Sequence, residues 1–324
     1  MMIAFGPVPS RRLGRSLGIS NIPPKLCPYS CIYCQLGPTL RRSYVRRTFW
    51  RDDEILAAVQ TKLVASERAG ESIDYLTFVS DGEPTLDANL GRTIRALRSL
   101  GIAIAVISNG ALIAHADVRR DLAEADWVSL KVDAASERTW RRINRPSARL
   151  HLQPILDGMR AFARDFAGTL TTETMLLYDF NDSEAELRAI AGLIGELRPA
   201  PGYLAVPTRP PAEPWALPAS EATIARAYEI FSERHDRIEL LLGYEGNAFA
   251  ATGDARDDLL SITAVHPMRE AAVRRLIERD GGSWSLVPEL IKQGQLVEIQ
   301  YGDHRYFLRP IRSPAQEYRE DAAD

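Results

Sequence analysis

Two apolar rhythms alternate along most of the chain. Short, nearly continuous apolar runs occur at residues 75–80 (YLTFVS), 102–108 (IAIAVIS), 127–132 (WVSLKV), 170–177 and 203–206. Runs of this length, bounded by polar turns, predict strands buried within a sheet. Residues 15–22 (RSLGISNI) predict a short first strand ahead of Pro23 and Pro24. Between these runs the apolar residues recur at helical spacing. Residues 52–69 place Ile55, Val59, Leu63 and Val64 on one face, with Gly70 just past the end. Further helices are expected near residues 89–100 and 116–125, and over 183–197. Strands alternating with such helices imply parallel pairing through right-handed crossovers, so the pattern predicts an α/β fold of six strand–helix units. A strand at residues 238–242 would extend or close the sheet.

After residue 250 the rhythm changes. Residues 250–256 (AATGDAR) read as a small polar linker. Residues 267–279 predict a helix with Pro267 in its first turn, and Gly281-Gly282 break it. A second helix capped by Ser283 runs through Lys292, and strands at 295–300 and 304–309 flank the turn Tyr301-Gly302-Asp303. The stretch LIKQGQLVEIQYGDHRYFLR resembles a winged-helix domain. The expected organisation is therefore a barrel over 1–250, a linker over 251–257, a winged-helix unit over 258–312 and a disordered polar tail over 313–324.

Composition narrows the class. With 324 residues and 45% hydrophobic content, one large core plus a small extra unit can be buried. No run of about 18 apolar residues occurs, so no transmembrane helix is expected. The N-terminal segment places its arginines wrongly for a signal peptide, and a cytoplasmic protein is expected. The net charge of −3 conceals an asymmetry: residues 1–51 hold Lys25 and eight arginines, and no acidic residue. Pairing with carboxylates elsewhere would account for this, as would a positive rim that attracts an anionic substrate such as RNA.

The candidate chemistry is concentrated in CPYSCIYC. Cys27, Cys31 and Cys34 are the only cysteines, and all lie within eight positions. An odd count argues against disulfides. Thiolates at this spacing hold a soft metal centre, zinc or an iron–sulfur cluster. Zinc would ordinarily want a fourth protein ligand, and no histidine or further cysteine lies nearby. A four-iron cluster on three thiolates leaves one iron open to a small-molecule ligand.

The pattern C-x-x-x-C-x-aromatic-C, with Tyr33 as the aromatic, resembles the signature of the radical S-adenosylmethionine (SAM) superfamily. The resemblance implies a partial (β/α)6 TIM-like barrel and a 4Fe-4S cluster on Cys27, Cys31 and Cys34. It also implies SAM chelated to the open iron, and a one-electron donor of flavodoxin or ferredoxin type. Residues 80–85 (SDGEPT) are similar to the superfamily's Gly-Gly-Glu-Pro motif, with Asp81 at the first glycine. The resemblance assigns Gly82, Glu83 and Pro84 to the methionine amino group of SAM. It also assigns Ser108, Asn109 and Asn181 to polar parts of SAM or substrate. In such barrels chemistry gathers at the C-terminal ends of strands. Ser129, Lys131 and Asp133 alternate with Leu130 and Val132, so one set should face the interior. Lys131 and Asp133 are thus the candidate catalytic pair, the other reading being a structural ion pair. The proline-rich loop 206–215 (VPTRPPAEPW) is the candidate substrate contact.

Taken together, FGPVPSRRLGRSLGI, the cysteine loop, DGEPT and YLAVPTRPP resemble the branch grouped with the tRNA wyosine synthases. That implies a substrate such as RNA, although no spare cysteine exists for those enzymes' second cluster. A peptide or metabolite substrate is the alternative. A cluster-sensing DNA-binding regulator is the reading from another class, but residues 283–293 hold one lysine and one glutamate, too little for phosphate neutralisation. The winged-helix unit is expected to dock substrate, RNA or peptide, rather than DNA.

Overall fold

In a computed structural model, residues 3–243, 249 and 251–310 are described. In chain order the elements are strands β1 (Ala4–Ser10), β2 (Gly14–Ile19), β3 (Leu26–Cys27) and β4 (Arg41–Arg42), then helix α1 (Asp52–Arg68). There follow β5 (Tyr75–Phe78), α2 (Leu90–Leu97), β6 (Ala103–Ser108), α3 (Ala116–Leu122), β7 (Trp127–Lys131), α4 (Glu137–Asn144) and α5 (Leu152–Asp165). The barrel part ends with β8 (Thr169–Met175), α6 (Glu184–Leu197), β9 (Gly202–Ala205), α7 (Glu221–Ser232) and β10 (Ile238–Leu241). Eight of these strands form one sheet in the order β1-β2-β5-β6-β7-β8-β9-β10, parallel from β2 to β10, while β3 and β4 pair separately.

The sheet sorts its residues by parity. Leu17, Leu76, Ile104, Val128 and Leu204 point outward and join one core with Ile55, Val59 and Ile94 of the flanking helices. On the other face Leu13, Ala105 and Trp127 pack together beneath the interior. The six expected strands are all present, and 238–242 extends the sheet as β10. The antiparallel edge strand β1 was not expected. Pro7 and Pro9 disguise it, and an edge strand can carry prolines because one side of its backbone needs no ladder partner. Helices α4, α5 and α7 were also missed.

Beyond the barrel come α8 (Ala255–Thr263), β11 (Met268–Arg269), α9 (Glu270–Arg279), α10 (Leu286–Lys292), β12 (Val297–Tyr301) and β13 (His304–Leu308). β11, β13 and β12 make a small antiparallel sheet over a separate core that includes Leu259, Val273, Leu276, Leu290 and Phe307. Helix α8 begins inside the segment expected as a linker, where Asp254 accepts from Arg256 N and Asp257 N. The unit is fastened to the barrel by Lys62–Asp257 (2.7 Å), by Glu71–Arg279, and by Val8 packed on its core. The tail expected over 313–324 lies outside the described residues. No helix among the described residues is long and apolar enough to cross a membrane.

Candidate functional site

The cysteine loop, residues 24–43, is held from two sides. Beneath it Leu26 pairs with Gly82 in a parallel bridge, and Glu83 N donates to Leu26 O at 3.1 Å. Lys25 N donates to Asp81 O at 2.7 Å, and its ammonium lies 3.2 Å from the Asp81 carboxylate. Asp81, the residue that departs from the family motif, thus anchors the loop. Beside it, Ser30 N and Ile32 N donate to Asn144 O and Ile143 O at the end of α4.

The three cysteines are half-buried, and two of the sulfurs have amide donors beside them. Asn109 Nδ2 lies 3.3 Å from Cys27 Sγ and Asn144 Nδ2 lies 3.4 Å from Cys31 Sγ. Burial, reinforced by Cys31 and Glu83, pushes the Cys27 thiol well above its ordinary value. Burial and then Asp133 push Cys31 up to about 12, and burial also raises Cys34. Thiolates here are therefore unfavourable without a positive centre, while the N–H donors favour the thiolate form. Iron supplies that charge, so the donor set suits a thiolate-held cluster. Among the described residues no three His, Cys, Asp or Glu side chains close on a single ion position. The sulfurs instead line one wall of a cavity of about 290 Å³.

The adjoining wall comes from the next two strand ends. Glu83 is 1% exposed and accepts from Thr85 N, Thr85 Oγ1, Ser108 Oγ and Asn109 N at 2.6–3.1 Å. Burial raises its carboxyl, although these donors oppose the shift. Ser108 therefore serves Glu83, and Asn109 links Glu83 to Cys27. Pro84 opens the short helical turn behind them. Glu83, Asn109, Tyr33 and the three cysteines all line the cavity, so the structure brings together residues from three loops.

Across the cavity, Lys131 Nζ lies 2.6 Å from Glu173 Oε1 and 5.0 Å from the Tyr33 ring centre, while Arg12 binds the other Glu173 oxygen. Burial alone would raise the Glu173 carboxyl, but Lys131 and Arg12 outweigh it and hold it down to about 2. Burial opposes charge on Lys131, and Glu173 and Asp133 outweigh that too, so its value is raised. A carboxyl whose value falls from ~4.3 when unfolded contributes stability above that value. The contribution, about 3 kcal/mol, is lost as pH falls through the folded value. Glu173→Gln leaves two buried cations without their anion and should cost roughly 3 kcal/mol. Thermal unfolding should show a lower midpoint and a flatter pH dependence between ~4 and ~2. An unchanged midpoint would show that the triad does not hold the barrel together.

Two expected site residues are engaged by protein groups and do not line the cavity. Asp133 was expected to face the interior with Lys131, as a catalytic pair or a structural ion pair. Its carboxylate instead accepts from Tyr33 OH, from Asn144 Nδ2 (2.8 Å) and from Met175 N (2.9 Å), and it does not line the cavity. Asn181 was expected near SAM. It is fully buried, donates to Asp133 O and Met175 O (both 2.8 Å), and accepts from Leu177 N (2.9 Å). All of its hydrogen-bonding groups face backbone. Asn144, Arg12 and Glu173 were not in the expected site. No local pattern marks Asn144 or Arg12, while Glu173 carried the signal of a charged residue within an apolar strand.

The basic N-terminal segment is mostly paired: Arg12 with Glu173, Arg15 with Glu71, Lys25 with Asp81, Arg46 with Asp117 and Asp121, and Arg51 with Asp53. The roof is the loop after β9. Tyr306 OH donates to Thr208 O at 2.9 Å and Gln35 Nε2 to Val265 O at 3.4 Å, so the C-terminal unit touches both that loop and the residue after Cys34.

Comparison with known proteins agrees with this geometry. The model of the radical SAM superfamily matches residues 21–189. A UPF0026 protein of Methanocaldococcus jannaschii is 42% identical over 315 residues, covering 97% of this chain and 98% of that one. A UPF0026 protein of Synechocystis sp. is 36% identical over 208 residues, covering 64% and 76%. A structure of TYW1 with a lysine–pyruvate adduct bound has a TM-score of 0.54 at 16% identity, over 68% of this chain and 74% of that one. At that identity the likeness concerns the fold alone.

Proposed function

The chain belongs to the radical SAM superfamily, whose enzymes use a 4Fe-4S cluster and SAM, and from that premise we propose that this enzyme modifies RNA. The observation that carries the site assignment is the meeting of Cys27, Cys31, Cys34, Glu83 and Asn109 on one cavity. Cys27, Cys31 and Cys34 would hold the cluster. When bound, the cluster supplies one electron for reductive cleavage of SAM to a 5′-deoxyadenosyl radical. The protein's own residues do the rest. Gly82, Glu83 and Asn109 shape the wall that receives the amino-acid end of SAM. The Arg12–Glu173–Lys131 triad keeps the opposite wall charged and rigid. The loop 206–215 meets the substrate at the mouth.

The C-terminal unit is read as a winged helix that presents the substrate, because its tyrosines bond the backbone of the roof loop. Tethering of this kind raises local concentration without taking part in the chemistry. The electron would come from a flavodoxin- or ferredoxin-type donor.

Anaerobic reconstitution should load about four irons per chain and yield 5′-deoxyadenosine from SAM under reduction. Comparative mass spectrometry of RNA nucleosides from wild-type and deletion strains should then reveal one modification that disappears. Absence of SAM cleavage by the iron-loaded protein would reject the chemistry. Identical nucleoside profiles, with cleavage intact, would reject RNA as the substrate.

A further inference from the structure

We infer that Asn144 is a positioning residue for the cluster: it directs an amide N–H at Cys31 Sγ and so makes the cluster easier to reduce. The inference rests on the cluster site and is independent of the RNA reading. Helix α4 stops at Asn144, and Arg145 after it takes a left-handed conformation with φ of +43°. The last carbonyls of a helix have no partners within it. Here Ile143 O and Asn144 O accept from Ile32 N (2.9 Å) and Ser30 N (3.0 Å), the residues on either side of Cys31. The helix end is thus locked in register with that cysteine, and Asn144 Nδ2 lies 3.4 Å from its sulfur.

The other neighbour of the amide fixes which way it points. Asn144 Nδ2 also donates to Asp133 Oδ2 at 2.8 Å. That oxygen accepts from Tyr33 OH as well, and Asp133 Oδ1 accepts from Met175 N at 2.9 Å. A carboxylate accepts and does not donate, so the amide turns its nitrogen and not its oxygen to this pair. One N–H is spent on Asp133, and the second is left for the sulfur. Asn144 and Asp133 are both 3% exposed, which shields these bonds from water. Reduction adds negative charge to a cluster and its sulfurs, and an N–H donor stabilises that form more than the oxidised one. Asn109 stands in the same relation to Cys27 at 3.3 Å, but it also lines the cavity. Asn144 does not line it, so its effect on the cluster can be read apart from SAM binding.

The test is a reductive titration of the iron-loaded full chain without SAM, followed by electron paramagnetic resonance. Asn144→Leu nearly keeps the volume and removes the donor. The iron-loaded variant should be about tenfold harder to reduce, a midpoint about 59 mV lower for one electron. Its SAM cleavage should fall with a flavodoxin-type donor and recover with a stronger reductant, titanium(III) citrate. Equal midpoints would overturn the inference, as would cleavage slowed equally with both reductants, the mark of a merely structural lesion. A second measurement decides even where Asn144→Leu binds no iron. In reduced protein grown on asparagine enriched in heavy nitrogen, electron–nuclear double resonance should show amide nitrogens coupled to the cluster. That coupling should persist in part in Asn109→Ala, and its complete loss there would overturn the role of Asn144. Iron-loaded wild type that cleaves no SAM would sink the proposed chemistry and leave the midpoint shift standing.

Discussion

Cys31→Ala should reduce 5′-deoxyadenosine formation to background. Cys31 is the middle ligand of the expected set, and with Cys27 and Cys34 it completes the cysteine content of the chain. No other thiol can take its place. Its sulfur lies 3.4 Å from Asn144 Nδ2 and its thiol is pushed up to about 12 by burial and by Asp133, so a positive centre is needed to favour the thiolate there. Alanine removes that ligand while leaving the backbone bonds of the loop, Ser30 N to Asn144 O and Ile32 N to Ile143 O, in place. Iron content should therefore fall while thermal unfolding of the apoprotein changes by less than about 1 kcal/mol. Wild-type iron loading with wild-type cleavage would remove Cys31 from the ligand set.

The second large effect belongs to Gly82→Ala. Gly82 has φ of +150°, a backbone region that side chains rarely enter, and a Cβ there would lie 2.0 Å from Leu26 O. The clash is with backbone, so the cysteine loop and the Gly-Glu-Pro loop must separate. Separation breaks the Leu26–Gly82 bridge and the bond from Glu83 N to Leu26 O, one residue from Cys27. We expect a stability loss of roughly 3 kcal/mol together with weaker SAM binding and reduced iron content. The sequence pattern alone suggests that this loop acts on SAM and leaves iron untouched. The contact at Leu26 is what couples the two. A Gly82→Ala protein with the wild-type melting temperature and full iron content would show that the close approach is not needed.

The parts legible in the sequence share one property: their signal is local. The cysteine spacing, the Gly82-Glu83-Pro84 turn and the strand–helix alternation each lie within a few residues, and there the backbone period dictates where side chains go. Parity also placed Lys131 on the interior. Two residues later β7 has ended, and strand alternation no longer fixes where the side chain goes. Asp133 turns instead toward Tyr33, 100 residues away in sequence, and toward Asn144 and Met175. Asn181 bonds locally too: its side-chain oxygen accepts from Leu177 N, and the residue does not line the cavity. Arg12 and Glu173 are separated by 161 positions, and nothing in either neighbourhood marks the pairing. Sequence by itself determined the fold class, the cysteine triplet and the loop that faces it, because those follow from short-range periodicity. Only the tertiary structure decided which charged groups meet and which polar groups are consumed by the backbone. A buried ion pair or amide is placed by whatever the closing sheet brings within hydrogen-bond distance, and that distance is unrelated to separation along the chain.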